Sequence, residues 1–206
     1  MKNEESSIEK LKDFASKTHR KINCCEKLHP SNSLHPVSYY RRFISIPEND
    51  EKQVFFACFA DSRKLDHFFS YSGVFFPIDV ATETKICIRK MKVFDKMNLF
   101  SKKIHYKTGI NAFDSQVVFE DFTAIGTNQI FTNTKIQEVI LKVFDFDMRL
   151  KVGVNMLNID FIPELKGKSH IGIYLTNEWY SDFSMIELLF NLAERLKSRV
   201  IKLKTV

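Results

Sequence analysis

Three pairs of adjacent phenylalanines constrain the fold of this chain more than any other feature of its sequence. Phe55-Phe56, Phe68-Phe69 and Phe75-Phe76 lie in or beside short apolar runs, and the chain has 20 phenylalanines among 206 residues. Successive side chains of a β-strand point to opposite faces of the sheet. A strand that carries such a pair is therefore predicted to be buried on both faces.

Two other interpretations of these phenylalanines, together with nearby Phe59, compete with core packing. They could line an apolar ligand cavity, or they could form a stacking platform for single-stranded nucleic acid. A stacking platform spaces its aromatic side chains on one exposed face and interleaves them with bases. Adjacent pairs inside apolar runs do not fit that spacing, so we expect core packing.

The order of patterns along the chain predicts an α+β fold with a largely antiparallel sheet flanked by an N-terminal helix and a long C-terminal helix. Short turns between strand-like runs favour antiparallel pairing. A capping box at Ser6–Glu9 begins the first predicted helix, which runs to about Ile22, and the polar stretch from Glu26 to Pro36 is predicted to be a loop. A helical turn is predicted at 64–70, a short helix at 91–100, and two further helices from capping boxes at Thr134–Gln137 and at Ser184–Glu187. Strands are predicted at 39–46, 53–60, 73–80, 84–88, 103–107, 115–122, 149–154, 157–162 and 171–175.

Length and targeting signals bound the organisation of the chain. Its size allows a single α+β domain of residues 1–206, or alternatively two lobes of residues 1–105 and 106–206. No stretch approaches the roughly 18 apolar residues of a membrane-spanning helix, and the N-terminus lacks the apolar region of a signal peptide. The four cysteines need no disulfide partners in a reducing compartment. We therefore expect a cytoplasmic protein.

Positive charge is concentrated in one stretch. Residues 85–107 contain eight bases and one acid, Asp95, and the C-terminal stretch from Arg195 to Lys204 adds five bases. Such a stretch can face an anionic protein, a nucleic acid or an anionic membrane surface, or it can be a solvated helix face. The candidate residues for binding an anionic partner are Lys85, Arg89, Lys90, Lys92, Lys96, Lys102 and Lys103.

Motifs for common chemistries are missing from the sequence. The six glycines are isolated, so there is neither a P-loop nor a dinucleotide fingerprint, and the signatures of serine hydrolases and zinc proteases are absent as well. Cys24, Cys25, His29 and His35 are potential zinc ligands, but adjacent cysteines have the wrong spacing for one ion. We expect no metal, no cofactor and no catalytic residue.

The C-terminal half, from about Lys103, resembles a bacterial family that is catalogued only as a domain of unknown function and whose members are often membrane-anchored. The resemblance rests on Thr108-Gly109, Phe113-Asp114, Ile130-Phe131-Thr132 and the helix from Ile136 to Val143. Because that family has no established activity, the resemblance implies a shared fold and no chemistry.

The leading hypothesis for function is a non-enzymatic binding or interaction module that docks on an anionic partner through the basic segment. The alternative is an enzyme of unknown class with a pocket between the two halves. Its acid–base groups would come from Asp145, Asp147 or one of the histidines, with Glu120 and Asp121 as further carboxylates near strand ends. Enzyme activity stays open at this point, with the balance against it.

Overall fold

The structure is a computed structural model that describes residues 2–33, 38–49, 51, 53–61, 69–97, 106–123 and 128–203. The described helices are α1 (Lys2–Lys17), α2 (Val93–Met97), α3 (Asn111–Asp114), α4 (Asn128–Thr132), α5 (Thr134–Phe146) and α6 (Phe183–Leu203). None of these helices combines the length and the apolar character that crossing a bilayer requires.

Eight strands form one sheet in the order β1-β2-β3-β4-β8-β7-β5-β6, and every neighbouring pair is antiparallel. The fold is therefore α+β, as the sequence predicts. Strand β8, the last described strand in chain order, lies between β4 and β7, so it joins the N-terminal meander to the remaining strands. The strands are β1 (Asn23–His29), β2 (Tyr39–Pro47), β3 (Phe55–Asp61), β4 (Phe69–Pro77), β5 (Lys85–Lys90), β6 (Val117–Thr123), β7 (Lys151–Val154) and β8 (His170–Thr176).

Helices cover the first face of the sheet. Apolar side chains of the strands, including Phe56, Phe76 and Ile173, pack with α1, α5 and α6 in the larger core cluster. Helix α5 contributes Ile136, Ile140 and other residues of one face, which follow the 3.6-residue period of an amphipathic helix.

A turn-rich segment, residues 156–168, covers part of the second face. Its Ile159, Ile162 and Leu165 pack on Phe55 and Phe75 in a second core cluster. Backbone hydrogen bonds Ile162 N to Ile159 O, Leu165 N to Ile162 O and Lys168 N to Leu165 O close successive turns in this segment. We call this segment the cover.

The phenylalanine pairs of β3 and β4 are buried on both faces, which confirms the core interpretation for them. Phe55 and Phe75 lie under the cover, and Phe56 and Phe76 lie under the helices. Phe59 is half-buried beside the cover, and Phe69, at the start of β4, is 44% exposed. Phe68 lies outside the described residues.

Two glycines bring the central strands and their aromatic rings into close contact. A Cβ on Gly73 would lie 2.3 Å from the Ile173 carbonyl oxygen, and a Cβ on Gly172 would lie 2.5 Å from the Phe75 ring. With no Cβ at these positions, the stacked rings of Phe75 and Tyr174, whose centroids are 6.3 Å apart, fit over the neighbouring strands.

Several sequence predictions about individual elements are wrong. Residues 23–29, which follow the predicted N-terminal helix and overlap the loop predicted at 26–36, form strand β1, which pairs with β2. Helix α1 ends at Lys17 because His19 has a φ of 55° and Arg20 N bonds back to Ala15 O. The predicted strand 157–162 is part of the cover, since its apolar side chains are buried by packing on the sheet rather than by pairing with it.

The three predicted capping boxes are also misplaced. Ser6 lies inside α1. Asn133, rather than Thr134, accepts the bonds of Lys135 N and Ile136 N. Asp182, rather than Ser184, accepts the bond of Met185 N at the start of α6. Asn and Asp are as effective at this position as Ser, so the sequence alone left the choice between neighbouring caps open.

The remaining predictions mostly need small changes. The predicted short helix at 91–100 is α2, Val93–Met97. The helical turn at 64–70 falls mainly outside the described residues, although its last two residues begin β4. The strand predicted at 103–107 lies largely outside them as well.

Truncating a buried phenylalanine should destabilise the protein far more than truncating an exposed one. Phe56 is 0% exposed and Phe94 is 77% exposed. We expect Phe56→Ala to lower the free energy of unfolding by about 3–5 kcal/mol because it leaves a cavity. Phe94→Ala should change it by about 0.5 kcal/mol or less. Urea unfolding of both variants checks this, and equal losses would contradict the assigned packing.

Candidate functional site

The second face of the sheet is polar where the cover does not reach. There β5, β6 and β7 present Arg89, Glu120 and Lys151, with Cys87 buried beneath them beside the Tyr174 hydroxyl of β8. These residues follow the two-residue period of the strands: Cys87 and Arg89 on β5, and Lys151 and Gly153 on β7. We call this region the open face.

Glu120 is the centre of the open face. Its carboxylate accepts hydrogen bonds from Arg89 Nε at 2.7 Å and from Lys151 Nζ at 2.7 Å. Burial of this side chain opposes ionisation, but the bonds from Lys151 and Arg89 outweigh it and lower the pKa of the Glu120 carboxyl. Glu120 is therefore an anion that is already compensated by two cations.

Cys87 contacts the same carboxylate from below. Its Sγ lies 3.4 Å from Glu120 Oε2 and 3.7 Å from the Tyr174 hydroxyl. Burial raises the pKa of the Cys87 thiol to about 11, and burial also raises the pKa of Tyr174. Both groups are neutral at physiological pH, so Cys87 is not poised as a thiolate nucleophile.

Arg89 is held by ion pairs on two sides. Its guanidinium donates to Asp95 at 2.6 and 2.8 Å, in the bidentate geometry of strong ion pairs, while Nε bonds Glu120. The Arg89 guanidinium holds the pKa of the Asp95 carboxyl well below its usual range. Asp95, the single acid among residues 85–107, therefore pairs with Arg89 of the same segment.

The other predicted partner-binding bases are in different situations. Lys90 lies 3.3 Å from Asp145 and 3.4 Å from Gln116, whereas the side chains of Lys85 and Lys92 are exposed and no acid among the described residues pairs with them. The Lys96 side chain, Lys102 and Lys103 lie outside the described part of the chain. The structure therefore brings Arg89, Lys90 and Lys92 together at one end of β5 and leaves Lys85 at the other end.

A cavity of about 500 Å³ opens on the same face. Arg149 stands on its rim and donates to Asp147 at 2.7 Å and to Glu178 at 2.6 Å. The sequence analysis identified neither Arg149 nor Lys151 as a site residue. The alternation in Lys151-Val152-Gly153-Val154 does, however, indicate that Lys151 lies on the face of the sheet opposite to Val152 and Val154. The cavity is lined by Arg89, Lys92, Glu120, Met148, Arg149, Lys151, Leu175, Thr176, Asn177 and Glu178.

Two exposed apolar side chains adjoin these bases. Val93 and Phe94, at the start of α2, are 73% and 77% exposed, and they follow Lys92 directly. Sequence spacing assigns Phe94 to the apolar face of a short helix, but the structure leaves it in solvent. We call the group Lys90, Lys92, Val93 and Phe94 the β5–α2 corner.

The carboxylates and histidines proposed for an enzyme do not meet among the described residues. Asp145 pairs with Lys90, and Asp147 bonds Arg149 and the Tyr180 hydroxyl. The hydrogen bonds from Arg149 and Tyr180 lower the pKa of Asp147 to about 2. His170 is buried at the far end of β8, where burial lowers its pKa, and Asp121 is exposed on β6.

Cys24 and Cys25, which the sequence offers as potential zinc ligands, do not point toward a common ion. Cys24 and Cys25 are neighbours on β1, so their side chains point to opposite faces, and His35 lies outside the described residues. The described part of the chain has no group of three metal-binding side chains. Asp114 accepts bonds from Thr108 N and Gly109 N, which fixes the turn where Gly109 has a φ of 86°.

Comparisons with family models, with curated proteins and with solved structures return no match for this chain. The resemblance to a bacterial family of unknown function therefore stays a hypothesis, and the case for function rests on the geometry above.

A second group of titratable side chains joins β2 to α6, away from the open face. Burial and a hydrogen bond with the Glu194 carboxyl raise the pKa of Glu48 to about 7, against the weaker effects of Lys197 and Arg20. Arg20 also donates to the Glu48 backbone carbonyl at 2.7 Å and pairs with Glu187 of α6. This group holds the β2–β3 hairpin against the C-terminal helix.

Thiol labelling should separate the four cysteines into two classes. Cys24 and Cys25 are exposed, whereas Cys58 and Cys87 are buried. We expect a maleimide to label the two exposed thiols in dilute native protein at neutral pH, and all four thiols only after denaturation. Mass spectrometry of the Cys24→Ser and Cys25→Ser variants provides the matched controls. Native labelling of Cys87 at the rate of an exposed thiol would contradict its assigned state.

Stability should fall as the pH rises toward neutrality, because of Glu48. Its pKa of about 7 in the folded protein is above the ordinary value of 4.5, so the folded state binds this proton more tightly than the unfolded state. The stabilisation is complete below about pH 4.5 and is lost as the pH passes about 7.

We expect Glu48→Gln to flatten this part of the pH profile. Urea midpoints measured between about pH 5 and about pH 8 test the expectation. Glu51→Gln, at an exposed position of the same hairpin, is the control and should leave the slope unchanged. An unaltered slope in Glu48→Gln would refute the assignment.

Proposed function

We propose that the protein is a non-enzymatic binding module that docks on an anionic partner through the β5–α2 corner. One observation carries the proposal: two strongly exposed apolar side chains, Val93 and Phe94, directly follow the exposed base Lys92. Large apolar side chains that are adjacent and exposed on a folded surface commonly mark an interaction site.

The chemistry of the corner favours an anionic lipid surface over a nucleic acid. A nucleic acid backbone is recognised by cations and offers no apolar layer for Phe94. At a lipid surface the aromatic ring enters the boundary between headgroups and acyl chains, while lysine ammonium groups remain at the level of anionic headgroups. Lys92 and Phe94 are neighbours in the chain and supply both parts of such a contact.

A second candidate function is favoured by the cavity of about 500 Å³ on the open face. Its lining holds Glu120, Lys151 and Arg89, with Cys87 beneath, so it can receive a small polar ligand. Every cation on the cavity rim except Lys92 already bonds an acidic side chain, which weakens the case for an anionic substrate. We therefore rank the enzyme alternative second.

Binding to vesicles tests the leading proposal. We expect the protein to co-sediment with phosphatidylcholine vesicles that contain phosphatidylserine, and not with phosphatidylcholine alone, and salt should weaken the binding. Phe94→Ala should weaken binding by about tenfold, since a buried Phe side chain contributes about 1.5–3 kcal/mol. Lys92→Glu should weaken it by about thirtyfold, because each base near an anionic surface contributes about 1 kcal/mol and the change removes one charge and adds its opposite.

The matched control is Lys85→Glu, which makes the same charge change at the other end of β5. It should bind nearly as well as the natural chain. Arg89 and Lys90 are left unaltered because their ion pairs hold β5 to its neighbours. Equal losses for Lys85→Glu and Lys92→Glu would show nonspecific attraction, and failure of the natural chain to bind at low salt would overturn the proposal.

A further inference from the structure

Strand β1 forms one edge of the sheet. Its inner side pairs with β2 over seven residues in unbroken register, from Asn23 opposite Ser45 to His29 opposite Tyr39. No described strand pairs with its outer side. Backbone N–H and C=O groups of alternate residues therefore point outward along the strand, which makes it a template for another strand.

β1 is held in place by little side-chain packing. Six of its seven residues are exposed, and none belongs to either core cluster. Its side-chain contacts include the ion pair of Glu26 with Arg42 and the ring of His29 stacked on Tyr39. Ordering the backbone of each residue costs about 1–2 kcal/mol, so a strand with one ladder and little buried side-chain surface is weakly stabilised. A second ladder on the outer side would offset that cost.

The usual protection of an edge is sparse in β1. The strand contains no proline and no bulge, and it has one lysine, Lys27. The opposite edge differs: the β5–β6 ladder contains an irregularity at Cys87 and Ile88, and the Tyr106 ring stacks on Phe122 of β6 at 3.6 Å between centroids. β1 is thus the more open of the two edges.

The sequence of β1 is complementary to itself in one antiparallel register. Residues that face each other across a ladder lie on the same face of the sheet, so a twofold axis can pass through Cys24, Cys25, Glu26 or Lys27. An axis at Glu26 or at Lys27 places like charges opposite each other, and an axis at Cys24 places Lys21 opposite Lys27.

The axis at Cys25 avoids every such conflict. It places Cys25 opposite its copy and Lys27 opposite Asn23, and Leu28, which is 51% exposed, meets Ile22. We propose that β1 is a homodimerisation edge, at which two copies of this chain pair antiparallel about Cys25 and extend their sheets into one. The proposal does not depend on the proposed lipid docking, because β1 and the β5–α2 corner lie at different ends of the strand order.

Cross-linking tests the register. Directly opposite residues of an antiparallel pair have Cα atoms about 4.5–5.5 Å apart, within the range of a disulfide. Copper phenanthroline, which removes two electrons from a pair of thiols as two protons are released, should therefore link two copies of Cys24→Ser through Cys25. In Cys25→Ser the two Cys24 residues are two positions apart along the strands, which puts their Cα atoms roughly 8 Å apart and beyond bridging distance. We expect this variant to remain uncross-linked.

Charge changes at Asn23 test the pairing without oxidation. Asn23 faces the uncharged Ser45 within the monomer but Lys27 of the second copy in the dimer. Sedimentation equilibrium should show about threefold to tenfold weaker dimerisation for Asn23→Lys, and tighter dimerisation for Asn23→Glu. Adding Lys27→Glu to Asn23→Lys should restore the affinity.

Circular dichroism and urea midpoints should show that the variants fold alike. A protein that stays monomeric at all concentrations overturns the proposal, as does equal cross-linking of Cys24→Ser and Cys25→Ser. A dimer whose affinity is the same in Asn23→Lys and Asn23→Glu overturns it too, because that dimer would use another surface. Loss of vesicle binding with dimerisation intact would overturn only the lipid docking.

Discussion

Both faces of the central strands are apolar, and the rest of the structure follows from the need to cover them. The residue alternation of β3 and β4 places Phe56 and Phe76 on one face and Phe55 and Phe75 on the other. Helices α1, α5 and α6 bury the first face. The second face receives only the cover, residues 156–168, which is too short to extend over all eight strands. The polar open face on β5, β7 and β6 lies where that cover ends.

Ion pairs on and beside the open face neutralise part of the positive charge of residues 85–107. Read as a sequence, residues 85–107 form a basic stretch with a single acid. In the fold, Arg89 meets Asp95 and Glu120, and Lys90 meets Asp145 of a distant helix. The exposed bases of this stretch that no described acid pairs with include Lys85 at one end of β5 and Lys92 at the β5–α2 corner, where Val93 and Phe94 follow it. The net charge of this stretch is therefore larger than the charge that the fold leaves unpaired.

The sequence predicts the fold class because periodicity and aromatic pairs report burial directly. It predicts β2, β3 and β5 to β8 to within two residues at each end for the same reason, but it places β4 at 73–80 instead of 69–77. β1 is missed because Asn-Cys-Cys-Glu-Lys-Leu-His has no apolar alternation, and its position is set by the ladder with β2 rather than by burial. The cover is mistaken for a strand because its apolar side chains are buried by packing on a sheet face. Partners such as Glu120 and Lys151 come from different strands, and a single sequence does not contain that pairing.

The position of β8 has a consequence for how the chain is made. β4 is buried on both faces and pairs with β8, which is synthesised about 100 residues later; Gly73, for example, pairs with Tyr174. Until then the nascent meander ends in an apolar edge with unpaired backbone groups, the kind of edge that aggregates or recruits chaperones. Such long-range closure also slows folding. Completion of the central sheet therefore depends on a strand that is synthesised long after the strand it pairs with.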